Sequence, residues 1–162
     1  MKKHAIIPIF IPHLGCPCQC VFCNQQKITA RTKAVSTDEV RETVDRYLST
    51  LEELDPGEIE IAFYGGSFTA IPIEMQTAYL KVANEYIEQG QVSSLHISTR
   101  PDCIDDEILN SLRRYNVSTI ELGVQSFNDE VLTLSKRGHD SNTARKAATL
   151  IKERGFKLGI QL

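Results

Sequence analysis

Short apolar runs alternate with amphipathic helical patterns along this 162-residue chain, and that alternation restricts the fold more than any other feature. The apolar runs lie at 5–11, 59–63, 95–98, 119–124 and 157–162. After Ser36-x-x-Glu39, which reads as a capping box, Val40, Val44, Leu48, Leu51 and Leu54 recur at helical spacing. Pro56-Gly57 breaks that pattern. Pro72 opens a second helix with Met75, Tyr79, Val82 and Tyr86 on one face and Gly90 as its stop. A third carries Ile108, Leu109, Leu112 and Tyr115. Asn128 and Ser141 read as N-caps of two further helical stretches, the second ending at Gly155. Strands separated by helices pair in parallel through right-handed crossovers. The chain is therefore α/β, either an open doubly wound sheet or an incomplete β/α barrel. Its length suits one domain, 1–162.

Four of the five cysteines fall within eight positions, from Cys16 to Cys23. A secreted disulfide scaffold spreads its cysteines and usually carries an even number, so the cluster points to metal. The apolar run near the start contains Pro8 and has no small-residue cleavage site after it, which reads as a strand rather than a signal peptide. The expected location is the cytoplasm. The net charge of −3 comes from interspersed charges without a basic stripe, so this segment is poorly suited to gripping a phosphate backbone.

Cys16, Cys20 and Cys23 have the spacing Cys-x3-Cys-x2-Cys. A cubane normally takes four thiolates. Three leave one iron with open positions that an amino acid's amine and carboxylate can fill. Methionine carries both, and an electron delivered into an adjacent sulfonium breaks a carbon–sulfur bond. Two bland readings compete. A zinc site usually pairs two Cys/His dyads separated in sequence, and no second dyad is present. A ferredoxin-like electron carrier would need a fourth ligand, which Cys18 would supply. Cys103, at a helix start, reads as a small, partly buried side chain.

The other unusual polar residues fall at the carboxyl ends of the strands, where parallel β/α sheets bind ligands. Gly65-Gly66-Ser67 follows the second strand, and a glycine pair lets backbone approach a ligand closely. Ser98-Thr99-Arg100-Pro101 follows the third. There Arg100 is suited to an anionic group, with a surface arginine as the equal alternative. Gln125 ends the fourth strand and Arg137 stands twelve residues on. His13 and His139 lie near these elements and are not assigned catalysis.

The cysteine motif, with Phe22 just before its last member, resembles the signature of the radical S-adenosylmethionine (SAM) superfamily. The flanks Phe10-Ile11-Pro12-His13 and Phe22-Cys23-Asn24-Gln25 resemble the branch containing oxygen-independent coproporphyrinogen III oxidase and the catalytic subunit of elongator. The resemblance implies a partial (β/α) barrel holding a [4Fe–4S] cluster on Cys16, Cys20 and Cys23. It implies reductive cleavage of SAM to a 5′-deoxyadenosyl radical, with electrons from a flavodoxin or ferredoxin. By the same resemblance Gly65, Gly66 and Ser67 match the motif that contacts the methionine amine. Ser98 stands where relatives contact the nucleoside, and Gln125 and Arg137 match SAM contacts. Gln161, from its place on the fifth strand, is expected as a further nucleoside contact. Phe22 joins them as a cofactor neighbour. The substrate implied is a tRNA or a tetrapyrrole, with any tRNA held through regions outside this chain. Such cores usually contain six β/α units. The expectation is thus an incomplete core, truncated after about five strands, that does not perform full turnover alone. The alternative is a noncatalytic iron–sulfur electron-transfer or zinc-binding module.

Overall fold

The computed structural model describes residues 4–11, 16, 18, 20–23, 34–51 and 57–162. His13, the flanking residues Pro12, Asn24 and Gln25, and the expected helix continuation through Leu54 to Pro56 lie outside these. Five strands form one sheet: β1 (His4–Ile11), β2 (Glu58–Gly65), β3 (Ser94–Thr99), β4 (Val117–Gly123) and β5 (Lys157–Gln161). Every neighbouring pair is parallel and the spatial order is the chain order, β1-β2-β3-β4-β5. A doubly wound sheet reverses direction at a switch point. This order never reverses, so the sheet is the arc of a β/α barrel.

The register explains the two faces. Ile9 pairs with Phe63, Phe63 with Ile97, Ile97 with Ile120 and Ile120 with Leu158, so one apolar row runs across all five strands. Against it pack helices α1 (Thr37–Leu51), α2 (Ile73–Glu88), α3 (Asp106–Arg114) and α5 (Ser141–Glu153), through Val40 and Val44, Tyr79 and Leu80, Leu109 and Leu112, and Ala144 and Ile151. The short α4 (Asp129–Leu134) sits between β4 and α5 in the chain. The capping box forms as read: Ser36 N–H donates to Glu39 at 2.8 Å and Glu39 N–H to the Ser36 hydroxyl at 3.1 Å. Asn128 caps α4 as expected. The cap of α5 is Asp140 rather than Ser141, because the Asp140 carboxylate accepts from Thr143 N–H at 2.7 Å and Ser141 is already helical. Among the described residues no helix is long and apolar enough to cross a membrane.

The opposite, inward face is polar where a β/α barrel usually carries branched apolar layers. Glu60 and His96, 7% and 8% exposed, meet there at 3.5 Å. Ser94 donates to Glu60 at 3.0 Å and Thr119 at 3.4 Å, and Glu121 approaches the far imidazole nitrogen of His96 at 3.6 Å. Burial pushes the Glu60 carboxyl upward, but the hydrogen bonds from His96 and Ser94 outweigh it and hold the group below its ordinary value. A carboxyl lowered in the folded state adds stability that is complete above its unfolded pKa and disappears as pH falls through the folded one. Glu60→Gln is therefore expected to lower the thermal midpoint at pH 7. The gap to the parent should narrow as pH falls below about 4. A gap independent of pH in thermal melts would contradict this account.

Candidate functional site

Strand ends set the floor of the site. Gly65 closes β2 with φ +97°, and a Cβ there would come within 2.8 Å of the Ile11 carbonyl. The next residue donates its N–H to that same carbonyl at 3.1 Å, so the glycine pair turns the chain tightly over the end of β1. From there a chain of buried hydroxyls crosses to β3. Thr69 donates to the Cys103 carbonyl at 2.6 Å and lies 2.6 Å from the Thr99 hydroxyl, which lies 2.9 Å from that of Ser67. With the Thr69 proton on Cys103, each remaining proton points one way, Ser67 to Thr99 to Thr69. Ser67 also accepts the Arg100 N–H at 3.1 Å, which leaves it one acceptor site for a cationic donor.

At the end of β4 the backbone of Gln125 adopts φ +72°, the left-handed region that glycine favours. The Gln161 carbonyl on β5 holds it there, accepting from Val124 and Gln125 N–H at 3.0 and 2.9 Å. Strained backbone of this kind gathers at ligand sites. Arg137, beyond α4, reaches back across the strand end. One terminal nitrogen donates to the Gly123 carbonyl and the other to Cys20 Sγ at 3.5 Å, while its buried Nε has no partner among the described residues.

These segments enclose one cavity of about 280 Å³. Cys16, Cys20, Cys23 and Phe22 line it from the cysteine loop, Gly65, Gly66 and Ser67 from the end of β2, Ser98 from β3, Gln125 from just past β4, Arg137 from beyond α4 and Gln161 from β5. The structure thus brings together every residue singled out from the sequence as a cluster ligand or cofactor neighbour. Cys18 lines the same cavity. Cys103 stands behind it as a half-buried side chain in the turn Pro101–Cys103, its thiol pushed up by burial and then by Asp102. His139 lies outside the cavity, and burial pushes its imidazole below the ordinary value.

Arg100 is where the sequence reading fell short. The surface alternative fails, because Arg100 is only 2% exposed. It forks onto Asp102 at 2.9 and 3.0 Å and reaches the sulfurs of Cys16 and Cys18, each at 3.5 Å. Burial works against its charge, but Asp102 and the two thiols raise its pKa overall. The only trace of this in the sequence was an arginine placed just before Pro101 at a strand end.

The donor set fits a cluster. Among the described residues no three metal-binding side chains are already gathered on one point. A cubane does not require that, because each of its cysteine sulfurs holds a separate iron and the thiols ring a body. Here four thiols, three of them in the motif, line a cavity beside two guanidiniums. The orphaned Arg137 Nε leaves a charge-assisted donor for an anionic ligand.

Comparison with known proteins bears on the fold and the family. A tRNA uridine(34) acetyltransferase of Methanocaldococcus infernus is 28% identical over 98% of the chain, which spans 36% of that protein. Elongator complex protein 3 of Mus musculus is 24% identical over 74% of the chain and 26% of its own length. In structure, the archaeal Methanocaldococcus infernus Elp3 matches 99% of the chain and 38% of its own with a TM-score of 0.66 at 24% identity. Native anSMEcpe with bound AdoMet and Kp18Cys peptide matches 98% of the chain and 43% of its own, at a TM-score of 0.70 and 18% identity. The chain therefore spans less than half the length of these proteins. The family described as the Radical SAM superfamily matches residues 10–161. With the match running from β1 to the last residue of β5, the chain belongs to the radical SAM superfamily, whose cofactors are a [4Fe–4S] cluster and S-adenosylmethionine.

Proposed function

We propose that this chain is the catalytic core of a tRNA-modifying radical SAM enzyme, with the cluster on Cys16, Cys20 and Cys23. The observation that carries the reading is the shared cavity: residues chosen from six separate stretches of sequence for one chemistry line a single hollow. When bound, the cluster supplies the electron that splits S-adenosylmethionine into methionine and a 5′-deoxyadenosyl radical, which abstracts a substrate hydrogen. The chain's own residues bind and orient. Gly65 and Gly66 bring backbone close to the methionine amine, with the remaining acceptor site of Ser67 beside them. The Arg137 guanidinium would pair with the carboxylate, and the Gln125 amide and Ser98 hydroxyl would serve the nucleoside. Phe22 lines the cavity beside Cys20 and Cys23.

The tRNA assignment rests on the names of the relatives, and the grip on phosphate would sit in the further length those proteins have. A flavodoxin or ferredoxin would supply the electron. Five unpaired cysteines suit a reducing cytoplasm, where we place the reaction. The test is anaerobic reconstitution, reduction with dithionite and chromatography of the products after adding S-adenosylmethionine. Formation of 5′-deoxyadenosine together with methionine is expected. A fully loaded protein that yields neither would refute the reading.

A further inference from the structure

Arg100 does something that binding of substrate or nucleotide does not explain. A buried guanidinium is costly unless its donors are matched. Here Nε and Nη2 form a fork with Asp102, Nη2 also donates to the Arg137 carbonyl at 2.8 Å, and Nη1 and Nη2 reach Cys16 and Cys18 Sγ. One side chain thus ties the end of β3 to the cysteine loop and to the segment that follows α4. Each of those anchors is itself fixed. The Arg100 N–H is held by Ser67, and Asp102 sits on the turn locked through Cys103 to Thr69. At Gly138 a Cβ would come within 2.2 Å of Cys18 Sγ and 3.1 Å of Arg100 Nη2, so the chain gives way there to admit the loop. The packing leaves Arg100 little freedom to turn elsewhere.

We propose that Arg100, oriented by Asp102, is a positioning residue for the cluster: its Nη1 donates an N–H bond to the sulfur of Cys16 and makes the cluster easier to reduce. This rests on the reading that Cys16, Cys20 and Cys23 hold a [4Fe–4S] cluster. Hydrogen bonds to cluster sulfurs and nearby positive charge stabilise the more negative, reduced state, which raises the potential. Because Arg100 and Asp102 form a neutral pair, the N–H···S contact to Cys16 rather than net charge carries the effect. Removing both partners together isolates that contact.

The experiment is an anaerobic redox titration of the reconstituted parent, the Arg100→Gln/Asp102→Asn double variant and Arg100→Lys, each with iron analysis. Hydrogen bonds to charged groups are worth enough to expect about a tenfold loss in the equilibrium constant for reduction in the double variant. For one electron that is 59 mV more negative. Arg100→Lys keeps the charge without the fork, so it should also fall below the parent while keeping its iron, and it decides the matter if the double variant does not fold. A loaded Arg100→Lys with the parent's midpoint overturns the inference, as does an unchanged midpoint in a folded, loaded double variant. If the parent itself takes up no cluster, it is the proposed function that fails.

Discussion

Replacing Cys16, Cys20 or Cys23 by alanine is expected, each singly, to leave a folded chain that takes up almost no cluster on anaerobic reconstitution. The reason is coordination number. Three thiolates already leave one iron without a protein ligand, so losing another opens a second iron to solvent. No neighbour replaces any of them. Cys18 is the only further cysteine on the cavity, and its sulfur is held against Arg100 and packed on Gly138. Cys18→Ser should therefore keep the parent's iron and sulfide content. Iron loss in the serine variant, with retention in a Cys20 variant, would reverse the ligand assignment.

Arg137→Ala should keep the cluster and weaken S-adenosylmethionine binding by about tenfold or more. The side chain lines the cavity, spans Gly123 and Cys20, and has a buried Nε without a partner among the described residues. Losing a charge-assisted contact costs ~1.5–3 kcal/mol, and each 1.4 kcal/mol is about tenfold in affinity. The weaker N–H···S contact to Cys20 is also lost, but an iron–thiolate bond does not depend on it. Gln125→Ala should weaken binding in the same direction, since its strained backbone presents the amide at the strand end. Equilibrium binding to the loaded protein decides this. Unchanged affinity in both variants would remove Arg137 and Gln125 from the nucleotide site.

Much of the architecture was legible because it rests on periodicity. Ile7, Ile9 and Ile11 or Ile61 and Phe63 announce a buried face at a spacing of two, and Val40 and Val44 one at a spacing of four. Strand order was not legible, since open and barrel sheets share the same alternation of elements; only the unreversed pairing from β1 to β5 separates them. The inward face was hidden for a related reason. Glu60 and His96 sit within apolar runs and find their partners on other strands. The cysteine motif stood out because three cysteines of one loop are close in sequence. Arg100 did not, because its role depends on sulfurs 84 and 82 residues away. The cap of α5 was misplaced by one residue since Asp140 and Ser141 are both good N-caps, and sequence cannot say which carboxylate or hydroxyl reaches Thr143 N–H.

The central claim is a cluster held by three protein thiolates with one iron open to S-adenosylmethionine. The measurement closest to it is electron paramagnetic resonance of the anaerobically reconstituted, dithionite-reduced chain, holding about four irons, before and after addition of S-adenosylmethionine. An open iron predicts a [4Fe–4S]⁺ signal whose g-values change when the nucleotide binds and which returns when it is removed. A cluster signal that is identical with and without saturating S-adenosylmethionine would mean that the fourth position is closed, and the account would be wrong.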